Sequence, residues 1–289
     1  MEANNTRVWL ITGTSTGLGR ALAEAVLGHG DRAVITARKP EQIEDLVNQY
    51  PGQALGLRLD ITKPEEVKAA VEKTMGTFGR IDVLVNNAGY GVSGGIEEVG
   101  LDLVRQQYET NVFGAWNVIQ AVLPHMRKMR SGNILNISSL VGMVSYPGMG
   151  VYSSSKFALE GMSEALAQEI APLGIKLTIV EPGAFRTAFN GGSLVKSENA
   201  ISDYGDTIES FHKWLKEVHG EQPGDPAKAA QAMIQIVESE NPPLRLPLGA
   251  DAVDGIEQKL EAVKADIDAW REVAINTAYE GVAVGTVGG

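Results

Sequence analysis

An α/β fold, with one doubly wound parallel sheet covered by helices on both faces, is what this sequence predicts. Three observations lead there. Short apolar runs alternate with longer amphipathic stretches along most of the chain, the rhythm of repeated strand–helix–strand units. The runs are apolar at consecutive positions, as in strands buried on both faces. The 289 residues, 44% of them hydrophobic and 21% charged, suffice for one large core, and no repeat or linker divides them. The prediction is therefore a single domain, 1–289, with ligands bound beyond the C-terminal ends of the strands.

The elements follow in order. Val8-Trp9-Leu10-Ile11 opens the first strand, 8–12, and further strands are predicted at 33–36, 54–59, 83–86, 133–137, 176–180 and 244–248. Helices are predicted over 18–27, 41–48, 64–78, 101–129, 152–173 and 226–238. Thr62, Pro64 and Glu65 form a start signal for the third helix, and Gly174 is a stop for the fifth. The run His125-Met126-Arg127-Lys128-Met129-Arg130 ends a helical pattern, where cations complement the helix dipole. Two regions break the alternation. Residues 188–224, with Gly191, Gly192, Gly205 and Gly220 and the aromatic-bearing stretch 211–218, follow a strand end, where a substrate lid would sit. Residues 250–289 form an extension with a helical pattern over 251–276. Its tail, 281–289, is glycine and valine with almost no polar content, expected to be loose or docked on a neighbour.

Composition excludes several classes. A formal charge of −11 and a pI near 4.9 oppose binding to nucleic acid or an anionic membrane. Without cysteine there are no disulfides, thiolate metal sites or thiol nucleophiles, which fits a reducing compartment. The polar start and the lack of a long apolar stretch predict neither a signal peptide nor a membrane span, hence a cytoplasmic protein. His29, His125, His212 and His219 show no metal-ligand spacing, so no metal is expected; His212 and His219 read as solvated surface.

The first strand runs into Thr12-Gly13-Thr14-Ser15-Thr16-Gly17-Leu18-Gly19. Glycines at a strand-to-helix turn let the backbone approach a pyrophosphate, and the helix N-terminus offers free N–H groups. The spacing is Gly-x-x-x-Gly-x-Gly, and no Gly-Lys-Ser/Thr ending marks a nucleoside-triphosphate loop. No Asp or Glu occurs from Ala33 to Pro40, and Arg38 stands just past the second strand. An acid there would bind the 2′-hydroxyl of NAD, whereas an arginine accommodates the 2′-phosphate of NADP.

Tyr152-Ser153-Ser154-Ser155-Lys156 places a phenol and an ammonium four residues apart, and twelve residues separate Ser139 from Tyr152. On a helix the two groups share a face. A nearby cation favours a phenolate, so the lysine is expected to lower the tyrosine pKa and make it a general acid/base for a carbonyl or alcohol.

Taken together, the phosphate loop, Asn86-Asn87-Ala88-Gly89, Asn111, Ser139, Tyr152-x-x-x-Lys156 and Pro182-Gly183 occur in an order and at spacings that resemble the short-chain dehydrogenases/reductases. The resemblance spans about 7–187, and the strand and helix rhythm extends it to about 249. The extension beyond looks like the longer members around hydroxysteroid and retinol dehydrogenases. The resemblance implies a Rossmann-like fold and hydride transfer between NADP(H), with NAD(H) as second choice, and a ketone, aldehyde or secondary alcohol. Tyr152 would exchange the proton, Lys156 would lower its pKa and hydrogen-bond the nicotinamide ribose, Ser139 would hold the substrate oxygen, and Asn111 would anchor a water relay. Ser138 competes for the serine role, but the twelve-residue gap fits the family pattern only for Ser139. Gly13, Ser15, Thr16, Gly17, Leu18 and Gly19 would cradle the phosphates. Asp60 and Ile61 would meet the adenine, Asn87, Ala88 and Gly89 would border the adenosine, and Pro182, Gly183, Phe185 and Thr187 would meet the nicotinamide.

A mostly apolar substrate pocket is expected from Val92, Ser93, Leu140, Val141, Tyr146 and Met149, with Phe185, Phe189, Phe211 and Trp214. The neighbour of Pro182, Glu181, has no assignable role at this level. Relatives that are NAD-dependent epimerases or dehydratases share Tyr-x-x-x-Lys but favour a different glycine loop and lack Asn-Asn-Ala-Gly. A catalytically silent NADP sensor would usually have lost the tyrosine or lysine. The resemblance also implies a homodimer or homotetramer built on the helices at 101–129 and 152–173.

Overall fold

A computed structural model describes residues 6–279 and Gly281; the rest of the expected glycine–valine tail lies outside the described residues. Strands β1 (Val8–Ile11), β2 (Arg32–Ala37) and β3 (Ala54–Arg58) alternate with helices α1 (Gly17–Gly28), α2 (Glu44–Gln49) and α3 (Pro64–Phe78). After β4 (Val83–Asn86) and the short β5 (Gly91–Ser93) come α4 (Leu101–Tyr108), α5 (Ala115–Met129), β6 (Gly132–Ile137), α6 (Gly150–Ile170) and β7 (Ile175–Pro182). The chain ends through β8 (Leu194–Lys196), α7 (Ser210–Glu217), α8 (Pro226–Glu238), β9 (Arg245–Leu248) and α9 (Ala250–Ile275).

Seven strands form one parallel sheet in the order β3-β2-β1-β4-β6-β7-β9. Successive side chains on a strand point to opposite faces, and both faces here are apolar. Trp9, Ile11, Ile35, Val83 and Val85 join a core with Leu22, Val26 and Met233 from α1 and α8. Leu10, Val34, Leu84 and Ile134 point the other way, into Val71, Val122 and Leu166 from α3, α5 and α6. The chain reverses direction in the sheet between β1 and β4, and ligand sites of this architecture lie at that crevice.

Four local expectations need correction. The helix predicted over 101–129 is two helices joined by a π-helical segment, Glu109–Gly114, a distortion that widens the turn around Asn111. The start signal at Thr62 does not cap α3: the N-cap residue is Lys63, and the Thr62 hydroxyl donates to Asp60 instead, at 2.7 Å. The stretch 188–224 contains β8, which pairs in parallel with β5, and α7; neither was read from the sequence. His212, expected on the solvated surface, is buried on α7, with its Nε2 2.5 Å from Ser93 Oγ on β5. Burial lowers the His212 pKa, Lys196 adds to this and Glu98 opposes it.

Candidate active site

The strand ends open onto one cleft of about 1610 Å³. Its floor is the turn between β1 and α1. Gly13 has φ +69°, and a Cβ there would stand 2.8 Å from Ala88 Cα. A Cβ on Gly19 would stand 2.3 Å from Asn87 Nδ2 and 2.4 Å from the Gly13 carbonyl oxygen. These bare backbones let Asn87 reach across, donating to the carbonyls of Thr12 and Gly13 at 2.8 Å each, while its own N–H donates to Thr12 Oγ1 at 3.0 Å. Thr16, the N-cap of α1, makes no side-chain cap bond, and the first turn carries no acidic residue. The leading N–H groups of α1 thus face the cleft without a side-chain acceptor, the arrangement that receives a phosphate. Gly19→Ala is expected to displace Asn87 and weaken dinucleotide binding about 10-fold or more, measured by calorimetric titration; 1.4 kcal/mol corresponds to a factor of ten.

Beyond the floor, Arg38, Lys39 and Gln42 line one end of the cleft together with Asp60, Ile61 and Lys63. Arg38 is exposed and makes no ion pair among the described residues. Asp60 accepts from the Thr62 amide and hydroxyl. Burial alone would raise its pKa, but those bonds and the positive charges of Arg38 and Lys63 lower it.

The chemistry-bearing residues converge at the other end. Tyr152 and Lys156 lie on α6, both buried, and Ser139 leads from β6 into a short 3-10 turn whose Val141 amide donates to its Oγ. The Ser139 hydroxyl also donates to the Pro182 carbonyl, at 3.4 Å. The Lys156 ammonium lies 5.8 Å from the centre of the Tyr152 ring and donates to the Ile137 carbonyl, at 2.7 Å. The expected direction of the Tyr152 shift is not the one found. Burial pushes the phenol up to about 12, with the neighbouring Ser139 hydroxyl pulling the other way. Lys156 is itself buried, which lowers it to about 8 against the pull of Glu160. In the chain alone desolvation outweighs the i,i+4 cation, because the ammonium is turned toward a backbone carbonyl.

Asn111 sits in the π-helical segment. Its Nδ2 donates to the Tyr90 carbonyl at 2.9 Å and to Ser155 Oγ at 3.1 Å, and its Oδ1 accepts from the Tyr90 amide at 3.1 Å. Asn111 therefore ties the loop after β4 to α6. A Cβ on Gly89 would lie 3.1 Å from Asn111 Oδ1 and 3.7 Å from Lys156 Nζ, so these three residues border one small space.

Gly13, Ser15, Thr16, Gly17, Leu18, Asn87, Ala88, Gly89, Pro182, Gly183, Phe185 and Thr187 all line the cleft, whereas Gly19 lies beneath it. Thr187 approaches the phosphate turn: its Cβ would be 3.7 Å from a Cβ on Gly17. Of the expected substrate-facing residues, Leu140, Val141, Tyr146, Met149, Phe189, Phe211 and Trp214 also line it. Val92 and Ser93 do not. Both are fully buried behind the wall, Val92 with Val99 and Val151 and Ser93 on His212, because β5 is roofed by β8 and α7.

Asp251 was missed. It lines the cleft from the first turn of α9 and accepts from the Ala184 amide at 2.6 Å, and a Cβ on Gly183 would stand 2.3 Å from its carboxylate. An acid in a helix's first turn is too common a pattern to have marked it. Lys39, Tyr90, Val195 and Leu215 also line the cleft and were not singled out. Among the described residues, no group of three potential metal-ligating side chains is found, and no helix is long and apolar enough to cross a membrane.

The observations suit a nicotinamide dinucleotide: a glycine-bearing turn after β1, a helix start without a side-chain cap, a carboxylate and a cation at the strand ends, and a tyrosine–lysine–serine group at the far end. The chain belongs to the short chain dehydrogenase family, whose profile matches residues 7–197, and it is an oxidoreductase of that family. It is 40% identical over 274 residues to oxidoreductase BOA17 of Botryotinia fuckeliana, covering 94% of this chain and 100% of that one. It is also 40% identical over 245 residues to a 3-ketodihydrosphingosine reductase of Bacteroides thetaiotaomicron, covering 84% and 88%. A crystal structure of a short-chain dehydrogenase from Streptomyces avermitilis superposes with a TM-score of 0.90 at 42% identity, covering 96% and 100%. Solved relatives include ElxO with NADP bound, at TM-score 0.72 and 27% identity (86% and 99% covered). Another is a 3-ketoacyl-(acyl-carrier-protein) reductase from Brucella melitensis with NADH, at 0.71 and 26% (84% and 96% covered). Solved neighbours thus carry a nicotinamide cofactor in both its phosphorylated and unphosphorylated forms.

Proposed function

We propose that the protein reduces a ketone or aldehyde on an apolar substrate, or oxidises the corresponding secondary alcohol, with NADP(H) preferred over NAD(H). The observation that carries this is the meeting of Tyr152, Ser139 and Lys156 at the apolar end of a cleft whose other end holds Arg38 and Lys39. A nicotinamide dinucleotide held in the cleft would supply or accept the hydride. Tyr152, holding its proton at neutral pH, gives it to the carbonyl oxygen as negative charge develops there, and takes it back in the reverse direction. Ser139 donates a hydrogen bond to the same oxygen. Lys156 keeps a positive charge near the phenol and would hold the ribose end of the cofactor. Asn111 keeps the loop at Tyr90 fixed against α6 and borders the space where a water could lead to Lys156.

Support for an apolar substrate comes from Val141, Met149, Phe189, Phe211 and Trp214 around the inner end of the cleft. The similarity to a relative named for reducing a 3-keto sphingoid base points the same way. Residues 188–224 act as its lid. The test is a panel of aldehydes, ketones and secondary alcohols of increasing chain length, with NADPH and with NADH, followed by nicotinamide absorbance. Turnover with longer apolar carbonyls and NADPH is expected; cofactor binding without turnover of any compound would defeat the reading.

Arg38 sets the cofactor preference. A charge-assisted hydrogen bond contributes about 1.5–3 kcal/mol, so Arg38→Asp should weaken NADPH binding by about 10- to 100-fold and NADH by less than about threefold. Equal losses for both would remove the assignment. The exposed Phe113, Trp116 and Phe157 on the α4–α5 and α6 faces support self-association through those helices. Placement in the cytoplasm accords with the cysteine-free, acidic chain.

A further inference from the structure

Helix α6 carries a column of ionisable side chains. Tyr152, Lys156, Glu160 and Glu164 stand four residues apart, so they follow one another along a single face. The first three are buried, and only the Glu164 side chain, 48% exposed, reaches solvent. A helix face turned to the interior is ordinarily apolar, and glutamates are almost never fully buried unless paired. The pairing of Glu160 is one-sided. Its Oε2 accepts from Arg245. Its Oε1 has no hydrogen-bond partner among the described residues, and neither has Ser138 Oγ. Both atoms border one point: a Cβ on Gly142 would stand against Ser138 Oγ and 2.6 Å from Glu160 Oε1.

Arg245 is already paired without Glu160. It donates to Glu181 Oε1 at 2.5 Å and to Glu164 Oε1 at 2.6 Å. Glu160 is a third acid on one guanidinium, and its burial beside Glu181 adds repulsion. Burial and the neighbouring Glu160 raise Glu181 to about 7, so Glu181 keeps its proton up to neutrality. Glu160 and Glu164 then stand as two negative charges against Arg245, and the balance closes only with a second cation. Lys156, one turn along the same face, is that cation. Burial lowers Lys156, and Glu160 is the charge that opposes it. The other groups around the ammonium are neutral: the Ile137 carbonyl that accepts from it, the Tyr152 ring, and Gly89 with Asn111.

We propose that Glu160 is a positioning residue for the reaction: held by Arg245 on one side, it keeps the Lys156 ammonium charged beside the Tyr152 phenol. This role rests on the reading of Tyr152 as the proton donor and Lys156 as its cation. Glu160 does not line the cleft, so it acts through Lys156 alone. The groups that face it are Lys156 and Glu164 on α6, Glu181 on β7, Arg245 on β9 and Ser138 after β6. A half-paired buried carboxylate is a poor device for stability. Placed one turn from a buried lysine, it holds a charge where desolvation would remove it.

Glu160→Gln keeps the shape and an acceptor for Arg245 while removing the charge. The Lys156 titration midpoint is read in the full chain by NMR of carbon-labelled lysine, assigned with Lys156→Arg. It should fall from about 8 by about one pH unit. That readout needs no turnover, so its failure is distinct from a failure to reduce any carbonyl. With a carbonyl that is reduced, the rate should drop about fivefold at pH 8 and less than about twofold at pH 6, where the ammonium is still populated after a one-unit fall. A merely structural glutamate would lower both rates alike. Glu160→Asp, which restores the charge, should return the midpoint to within about half a unit of wild type. Glu181→Gln, which also takes a partner from Arg245, should leave it in place. If Glu160→Gln alone does not fold, the same fall is sought between Arg245→Met with Glu181→Gln and that pair with Glu160→Gln added. An unmoved midpoint, equal rate losses at pH 6 and pH 8, or a fall as large with Glu181→Gln as with Glu160→Gln would overturn the proposal.

Discussion

Tyr152→Phe should lower kcat/KM for carbonyl reduction by about 10²–10⁴-fold, the range that a positioned proton donor contributes. Dinucleotide affinity should change by less than about threefold. The substitution keeps the ring that packs with Val141 and Met149 and lies 5.5 Å from Phe189, so the pocket keeps its shape. Steady-state rates with a carbonyl from the panel, beside calorimetric binding of NADPH, separate the two effects. Turnover within about tenfold of wild type would remove Tyr152 from the proton transfer. The pH profile gives a second readout. Burial holds the phenol near 12, so it is protonated throughout the neutral range. Lys156, lowered by its own burial to about 8, is charged below that value and neutral above it. Reduction uses both the phenol proton and the ammonium, so its rate should fall as pH rises past about 8. Oxidation requires the phenol to release its proton and should gain as pH rises, until the loss of the Lys156 charge limits it.

The sheet was legible because its signal is local: strands apolar on both faces, such as Val83-Leu84-Val85, belong in a parallel sheet whatever their neighbours. The glycine turn after β1 and the Tyr152–Lys156 pair on one helix were legible for a related reason, since a turn and a helix face each set spacing within a few residues. What escaped depends on tertiary contact. Whether Lys156 acidifies Tyr152 is decided by burial and by the Ile137 carbonyl, nineteen positions away. Ser93 and His212 looked like a pocket residue and a surface residue. They are partners 119 positions apart, and no periodicity relates them. Asn111 was identified, but the π-helical turn around it left no mark in an otherwise ordinary helical pattern. Glu181 was the clearest gap, because a lone glutamate in an apolar strand has no meaning until its partners are known.

Those partners define the second large effect. Glu181 on β7 and Glu160 on α6 are both buried, and Arg245 on β9 bridges them, donating to Glu181 Oε1 at 2.5 Å and also to Glu160. Arg245→Met is expected to destabilise the fold by about 3–5 kcal/mol at pH 8, the cost of leaving buried charge without its partner. Chemical denaturation measures it; a loss below about 1 kcal/mol would mean that water already reaches the pair. Adding Glu160→Gln and Glu181→Gln should recover most of the loss, because no buried charge is then left uncompensated; Glu164, the third carboxylate on Arg245, is solvent-exposed. Burial and the neighbouring Glu160 raise Glu181 to about 7 against the pull of Arg245, and the sign of the pH effect follows. Between about 4.5, where the unfolded chain releases this proton, and about 7, the folded protein still holds it. Its contribution to stability is therefore complete below the unfolded value and is lost as pH rises through about 7. Glu181→Gln should flatten that slope, and an unchanged slope would assign the proton to another group. The consequence reaches the cleft, because Glu181 is followed directly by Pro182 and Gly183. The Pro182 carbonyl accepts from Ser139, and Gly183 donates to Leu248 on β9. Arg245 thus holds together, from behind, the strand ends that carry the Pro182–Gly183 wall of the cleft.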